Sequence, residues 1–108
     1  MRLHYTERGC EASDKLKALI EKKLTKLNKF IDEDADAYVT LTREGKRHIM
    51  EITIPLNGMM LRGEEKCEDF YSAIDDIVDA LERQMRKHRT RLARRVRENA
   101  FADYAAQE

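Results

Sequence analysis

The chain has 108 residues, and its 21 basic residues balance 21 acidic ones, so the formal net charge is zero. Hydrophobic residues make up 42% of the sequence, which excludes a disordered chain and predicts one domain with a single core. No run of 18 apolar residues is present, and the N-terminal MRLHYTERG lacks the apolar segment of a secretory signal. We therefore expect a cytoplasmic protein in which Cys10 and Cys67 are reduced.

The first predicted elements are a strand and a helix. Residues 2–7 alternate as a short strand. Ser13 is suited to cap a helix over about residues 14–30, because its hydroxyl accepts hydrogen bonds from free N–H groups of the first turn. The apolar side chains of this helix follow the three-and-four spacing of one face: Leu16, Leu19, Ile20, Leu24, Leu27 and Ile31.

Two strands are predicted after an acidic link at residues 32–36. The second strand alternates, and its apolar face consists of Ala37, Val39 and Leu41. The segment REGK at 43–46 supplies a turn glycine before the third strand, at about 47–55. The apolar face of that strand consists of Met50, Ile52 and Ile54.

A hairpin is predicted to connect the third strand to a fourth. Asn57 and Gly58 both tolerate the positive φ that a type I′ turn requires, so the fourth strand is expected at about 59–67. Pro55 cannot donate to a strand ladder, which predicts that the third strand ends there or is unpaired on that side.

The last predicted element is the longest helix, with Asp69 as its N-cap. Its apolar positions recur at intervals of three and four: Phe70, Ile74, Ile77, Leu81, Met85, His88, Leu92 and Val96. If it continues to residue 97, it spans about 28 residues, or about 42 Å, and its basic end projects beyond the sheet. We assign residues 1–97 to one binding domain and 98–108 to a tail or the start of a linker.

Charge is strongly segregated along this helix. The segment 64–82 contains eight acidic residues and one base, Lys66, whereas the segment 83–97 contains eight basic residues and no acid. The helix dipole favours acids at the N-terminus and bases at the C-terminus, but only within the terminal turns. The segment 83–97 has no acid over four consecutive turns, which is more than the helix dipole accounts for.

Most of these bases lie on one face of the helix. At about 100° per residue, six of them fall within an arc of about 140° opposite the apolar face. We call these six residues the basic stripe: Arg83, Arg86, Lys87, Arg91, Arg94 and Arg97. Like charges on one face repel one another, and the planar guanidinium fork suits phosphate oxygens. The stripe predicts a polyanion site; the alternative is a solvated basic face that confers solubility.

The first helix offers a second basic surface. One flank carries Lys15, Lys22, Lys26 and Lys29, and Lys23 borders the apolar face. If both helices pack side by side on one sheet face, this flank and the basic stripe line one groove. Phosphate contacts of this kind position a protein on a nucleic acid without reading bases. The alternative is again an ordinary solvated face.

Catalytic and metal chemistry have little support. His4, His48 and His88 have no metal-ligand spacing with the cysteines. Asp75, Asp76 and Asp79 have no partner nucleophile, and the glycines form no phosphate-binding loop. We expect no enzyme activity, no metal, no cofactor and no small-molecule substrate.

Four segments carry a resemblance to a known family. EDFYSAID at 68–75 and LERQMRKH at 81–88 are similar to its E-D-M-Y-A-A-I-D and D-R-Q-I-x-K-H-K segments, and EKKLTKL at 21–27 and LRGEE at 61–65 support the match. The sequence resembles the ribosome hibernation-promoting factor family, also called protein Y or ribosome-associated inhibitor A. Gly63 with Glu64 and Glu65 departs from the small residues that many members have there, which leaves the contacts at this point of the fourth strand open.

The resemblance implies an α+β fold of order β-α-β-β-β-α, with two helices on one face of a four-stranded sheet, as in double-stranded-RNA-binding domains. It also implies binding to the 16S-type rRNA of the small ribosomal subunit near the decoding centre. There the domain would block mRNA and tRNA and inhibit translation under stress or in stationary phase.

The family's basic positions map onto Lys23, Lys26, Arg83, Lys87, Arg89 and Arg91. The lysine flank and the basic stripe add Lys22, Arg86, Arg94 and Arg97 to the predicted RNA-binding set.

Three questions stay open from the sequence alone. The chain resembles either a short member or the N-terminal domain of a long member, and dimerisation would need a further C-terminal domain. A basic-helix module that binds an acidic protein is the alternative function. A membrane-surface helix also pairs a basic face with an apolar one, although we expect no membrane partner.

Overall fold

The computed structural model describes the backbone of residues 1–106 and the side chains of residues 1–88. The elements are β1 (Arg2–Arg8), α1 (Asp14–Leu24), β2 (Asp36–Glu44), β3 (Arg47–Leu56), β4 (Met59–Cys67) and α2 (Phe70–Ala106). A short 3-10 helix, Thr25–Leu27, follows α1. The predicted order β-α-β-β-β-α is confirmed.

The four strands form one mixed sheet in the order β1-β2-β3-β4. β1 is parallel to β2, and the other two pairs are antiparallel. A parallel pair needs a crossover connection, which α1 provides. The two antiparallel pairs are joined by tight turns, so β4 lies at one edge of the sheet.

The core lies between the inner face of the sheet and the two helices. The predicted apolar faces of β2 and β3 are confirmed, because all six side chains are at most 1% exposed. α1 contributes Leu16, Ile20 and Leu24 to this core, and α2 contributes side chains from Phe70 to Met85. Two helices on one face of a four-stranded sheet are therefore confirmed.

α1 has the predicted start but an earlier end. The Ser13 hydroxyl accepts a hydrogen bond from the N–H of Leu16 at 3.1 Å, which confirms the cap. The α-helix ends at Leu24, not near residue 30. The Thr25 hydroxyl donates to the carbonyl of Lys22, and the chain tightens into the 3-10 helix, which keeps Leu27 fully buried.

The turn after β3 differs from its predicted type. Gly58 has a φ of 80°, whereas no residue other than glycine has a positive φ among those described, so the predicted type I′ turn at Asn57 is wrong. One positive φ at the second central position fits a type II turn. β3 continues through Pro55 to Leu56, but its pairing with β2 stops at Thr53, so Pro55 is unpaired on that side as predicted.

α2 begins as predicted and extends further than predicted. Asp69 Oδ1 accepts a hydrogen bond from the N–H of Ser72 at 2.9 Å, which confirms the cap. The helix has 37 residues and ends at Ala106, so its backbone is about 55 Å long. The added segment, 98–106, contains four alanines, and alanine is the strongest helix former. The domain division at residue 97 stays a prediction.

Gly63 allows α2 to lie close to β4. A Cβ atom at this position would be 2.9 Å from Cγ2 of Ile77, closer than real carbon contacts permit. The residue is buried, and Leu81 also lies over it. The contacts left open at this point of the fourth strand are therefore a close approach of α2 to β4.

Candidate nucleic-acid interface

The two helices lie side by side on the sheet. The Ser13 hydroxyl, just before α1, is 3.4 Å from the hydroxyl of Tyr71 in the first turn of α2. Further along both helices, Lys23 Nζ is 3.0 Å from a carboxylate oxygen of Asp75. Since both contacts advance in the same order, the helices run in the same general direction. This confirms the packing that the predicted groove requires.

The lysines predicted on α1 differ in their surroundings. Lys22 is exposed, and so is Lys26, which the earlier end of α1 places in the 3-10 helix Thr25–Leu27. The side chain of Lys23 is only 32% exposed and is ion-paired with Asp75. A phosphate that contacts Lys23 must therefore compete with a carboxylate already in place.

The structure describes the first three side chains of the basic stripe: Arg83, Arg86 and Lys87. All three are exposed. Arg86 donates to a carboxylate oxygen of Glu82 at 2.9 Å, one helical turn earlier. Arg83 and Arg86 also line a shallow depression of about 220 Å³ with Asp79 and Glu82.

The other predicted side chains lie outside the described residues. They are Arg89, Arg91, Arg94 and Arg97. The α2 backbone is continuous past all four positions. Their helical spacing therefore stands, and their assignment to RNA stays a prediction.

Gln84 is a site residue that the sequence analysis missed. Its side-chain amide makes two hydrogen bonds to the backbone of Arg62 in β4: Oε1 accepts from the N–H at 3.0 Å, and Nε2 donates to the carbonyl at 2.7 Å. Gln84 lies between Arg83 and the buried Met85, at the border of the apolar face. This fixes the helix against the sheet edge at the level where the basic stripe begins. A polar residue at such a border is the only sequence signal for this contact.

The charges on the outer face of α2 change sign at the start of the stripe. Asp75, Asp76 and Asp79 are exposed. By helical spacing they lie on the same outward face as Arg83. Among residues 1–88 no polar or charged residue is buried, so this change of sign lies on the solvent-exposed surface.

The outer face of the sheet carries two further ion-pair clusters. Arg62 donates to Glu51 at 2.6 Å, and this bond raises the pKa of the guanidinium above its ordinary value. Asp36 accepts hydrogen bonds from His4 Nε2 at 2.9 Å and from Arg2 Nε at 3.0 Å. The bond to His4, followed by that to Arg2, holds the pKa of the Asp36 carboxyl below its ordinary value.

Across the side chains of residues 1–88, no group of three His, Cys, Asp or Glu residues is placed to hold a metal ion. Over residues 1–106, no helix is both long and apolar enough to cross a bilayer. Cys10 and Cys67 are free thiols, and burial raises the pKa of Cys67. A depression of about 440 Å³ beside Asp36 and Tyr38 is lined by none of the described stripe residues, Arg83, Arg86 and Lys87.

The fold and the site define a small α+β domain with an exposed basic helix. Comparison with known proteins identifies the family: the one described as "Sigma 54 modulation protein / S30EA ribosomal protein" matches residues 3–93, and the chain belongs to it. The resemblance seen in the sequence motifs is therefore confirmed. This family is not a class of enzymes.

Two curated relatives illustrate the match. The chain is 37% identical over 107 residues to the ribosome hibernation promotion factor of Bacillus subtilis (strain 168), covering 94% of this chain and 57% of the relative. It is 32% identical over 92 residues to the ribosome hibernation promoting factor of Escherichia coli (strain K12), covering 85% of this chain and 97% of the relative. Against the Bacillus subtilis relative and two others, the chain spans only 47% to 57% of their length.

Solved structures share the fold. The N-terminal domain of Thermus thermophilus Protein Y aligns with a TM-score of 0.73 and 36% identity, covering 82% of this chain and 99% of that domain. A ribosomal subunit interface protein from Coxiella burnetii aligns with a TM-score of 0.75 at 24% identity and supports the fold alone. The two helices and four strands therefore belong to a known domain type.

Proposed function

We propose that this domain binds the small ribosomal subunit near the decoding centre through phosphates of its 16S-type rRNA. Bound there, it blocks mRNA and tRNA and inhibits translation during stress or stationary phase, in the cytoplasm. The observation that carries this proposal is the exposed start of the basic stripe, Arg83, Arg86 and Lys87, at the point where α2 leaves the sheet.

The family supports the ribosome as the partner. The matching relatives from Bacillus subtilis and Escherichia coli are named ribosome hibernation factors. The basic stripe supports phosphate as the group recognised, because guanidinium forks bind phosphate oxygens in pairs and lysine ammonium groups bind them as point charges. Contacts of this type fix position on RNA and do not depend on base sequence.

The proposed interface has two walls. The basic stripe on α2, together with Arg89 beside it, forms one wall. The other wall consists of Lys22 and Lys23 of α1 and Lys26 of the 3-10 helix that follows it. Lys22 and Lys26 are exposed, whereas Lys23 must first leave Asp75. We therefore expect Lys22 and Lys26 to contribute more to binding than Lys23.

The test is co-sedimentation of the 108-residue chain with purified small ribosomal subunits. The first variant reverses the described bases of the stripe: Arg83→Glu, Arg86→Glu and Lys87→Glu. Loss of three charge-assisted contacts, each worth about 1.5 kcal/mol or more, predicts binding at least about 1,000-fold weaker.

A control variant makes the same charge change away from the helices. It replaces three exposed bases at one end of the sheet: Arg8→Glu, Lys46→Glu and Arg47→Glu. We expect this variant to bind within about threefold of the wild type. Binding is measured at two salt concentrations, because salt screens the long-range effect of the changed net charge. Equal weakening of both variants, or unchanged binding by the stripe variant with its circular dichroism intact, would contradict the proposed site.

A further inference from the structure

The outward face of α2 carries opposite charges on its two halves. Asp75, Asp76 and Asp79 form an acidic patch, and Arg83, Arg86 and Lys87 follow directly. All six side chains are exposed, and the apolar face of the helix points the other way, into the core. The reversal of sign therefore occurs on a surface that is open to solvent over its described length.

The spacing of these six charges is symmetric about one point. Asp75 and Arg86 are eleven residues apart, and so are Asp76 and Lys87; Asp79 and Arg83 are four apart. Eleven residues are close to three helical turns, so each acid points within about 20° of its base, and the last pair within about 40°. The midpoints of all three pairs lie within one residue of Leu81. The acids before Leu81 and the bases after it therefore lie at matching distances from Leu81 along the helix.

We propose that the outward face of α2 binds the same face of a second copy of this chain in antiparallel orientation, with the two-fold axis outside the helix at the level of Leu81. Asp75 of each copy then lies opposite Arg86 of the other, Asp76 opposite Lys87, and Asp79 opposite Arg83. A two-fold axis produces each contact twice, so the interface contains six acid–base pairs.

The charge pattern selects this arrangement over others. A parallel arrangement would place acid against acid and base against base. A shift by one turn would place Arg83 opposite Arg83, or Asp79 opposite Asp79, at the centre of the interface. Within one copy, neighbours such as Asp75 and Asp79, or Arg83 and Lys87, repel each other at i,i+4 spacing. The second copy would add opposite charges across from each of these like-charged neighbours.

Contacts inside each copy limit the strength of the association. Asp75 is already ion-paired with Lys23, and Arg86 with Glu82. The side chain of Asp75 is still 60% exposed and the side chain of Arg86 is 66% exposed, so each can contact a second partner. Exposed pairs are individually weak and screened by salt, and we expect a dissociation constant between about 0.1 and 1 mM at low ionic strength.

This self-association goes beyond the proposed function and does not depend on it. It also differs from the expectation that dimerisation would need a further domain. Because Arg83, Arg86 and Lys87 would contact either the second copy or an RNA phosphate, the two interactions exclude each other. In the absence of RNA, at high concentration and low salt, the second copy would then cover Arg83, Arg86 and Lys87.

The experiment measures sedimentation velocity of the wild-type chain from about 0.02 to 1 mM, without RNA. At about 20 mM salt we expect the average mass to rise with concentration from monomer towards dimer, and at about 0.5 M salt to remain monomeric. A monomer throughout the low-salt series would overturn the proposal, and this result would leave ribosome binding untouched.

Two charge-reversed variants test the pairing itself. One reverses the acidic patch: Asp75→Lys, Asp76→Lys and Asp79→Lys. The other reverses the bases: Arg83→Glu, Arg86→Glu and Lys87→Glu. Each variant alone should be monomeric at 1 mM because its whole face has one sign. Mixed in equal amounts, they should form a heterodimer at least about tenfold tighter than the wild-type homodimer.

A matched pair of variants controls for general attraction between oppositely charged proteins. One reverses exposed acids after α1: Asp32→Lys, Glu33→Lys and Asp34→Lys. The other reverses exposed bases at the end of the sheet: Arg8→Glu, Lys46→Glu and Arg47→Glu. Their net charges equal those of the α2 variants. If this control mixture associates as tightly as the α2 mixture, the α2 interface is wrong.

Discussion

Gly63 sets the distance between α2 and β4 at the scale of a single residue. The hydrogen that glycine carries in place of a side chain faces Ile77 and Leu81 of the helix. Ile77 is branched at Cβ and sits in a helix, so its Cγ2 has little freedom to move aside. The helix therefore stays close to the sheet only while this position lacks a Cβ.

We predict that Gly63→Ala lowers the free energy of unfolding by about 1–3 kcal/mol, because an overpacked contact must be relieved by shifting the helix. Urea unfolding of the wild type and variant measures the change. Glu64→Ala, on the exposed side of the same strand, is the control and should cost less than about 0.5 kcal/mol. In an Ile77→Ala background the cost of Gly63→Ala should shrink, and an unchanged cost would rule out the contact as the cause.

Asp36 is a second residue whose environment gives a directional prediction. Its hydrogen bonds from His4 and Arg2 hold the pKa of the carboxyl below its ordinary value. A carboxyl with a lowered folded-state pKa adds stability above its unfolded pKa of about 4, and this stability is lost as the pH falls through the folded pKa. Asp36→Asn should therefore flatten the decline of unfolding free energy below about pH 4. A decline as steep as that of the wild type would contradict the effect.

At the scale of the element, α2 joins the core to the proposed interface. Its first four turns are buried on one side as far as Met85, and its basic stripe begins at Arg83. Gln84 lies where these two parts meet, and both the oxygen and the nitrogen of its side-chain amide bind the backbone of Arg62. The orientation of the stripe is therefore fixed by a contact to the edge strand.

We predict that Gln84→Ala lowers the free energy of unfolding by about 1–3 kcal/mol, because two hydrogen bonds to the backbone are lost. Chemical denaturation provides the measurement. The neighbouring exposed substitution Arg83→Ala serves as the control for stability and should change it by less than about 0.5 kcal/mol.

Gln84→Glu gives a sharper test of the same contact. At neutral pH the introduced carboxylate would place an oxygen against the carbonyl of Arg62, whereas its protonated form can donate there as the amide does. Its folded-state pKa should be raised, so stability is present below about pH 4 and is lost as the pH rises through the folded value. An equal deficit at pH 3.5 and pH 7 would argue against the contact.

Local signals in the sequence were sufficient for most of the elements. Ser13 and Asp69 cap their helices through atoms only three residues away, and the alternating side chains of β2 and β3 need only a period of two to identify the buried face. The Gln84 contact joins positions 22 residues apart, and the Lys23–Asp75 pair depends on how the helices are packed. The turn at Asn57 was mispredicted because asparagine permits a positive φ without requiring it. The later end of α2 depends on Ala-rich residues that carry no apolar periodicity.

At the scale of the whole molecule, two helices of different length pack on the same face of the sheet. α1 is 11 residues long and ends over the sheet, whereas α2 has 37 residues. Of the ten proposed RNA-binding residues, seven belong to α2, two to α1 and one, Lys26, to the 3-10 helix after α1. We therefore expect binding to depend mainly on the stripe and on the number of phosphates it neutralises.

We predict a strong salt dependence for binding to small ribosomal subunits. With about six phosphate contacts, log K should fall against log salt concentration with a slope of about −4 to −5. Binding measured from about 50 to 300 mM salt gives this slope. Lys26→Ala should make it less steep by about one contact, and Lys23→Ala should change it less. A slope near −1 for the wild type would mean that phosphates are not the main group recognised.

The contact between Gln84 and Arg62 has a consequence for how the folded protein behaves at high concentration. β4 is an edge strand, and an exposed edge offers unpaired N–H and C=O groups to which a strand of another molecule can add. At Arg62 both groups are already bound, because Gln84 occupies them as a neighbouring strand would. A strand of another molecule therefore cannot pair along the whole length of β4. Loss of Gln84 would free both backbone groups of Arg62 and should make the protein prone to aggregate through this edge.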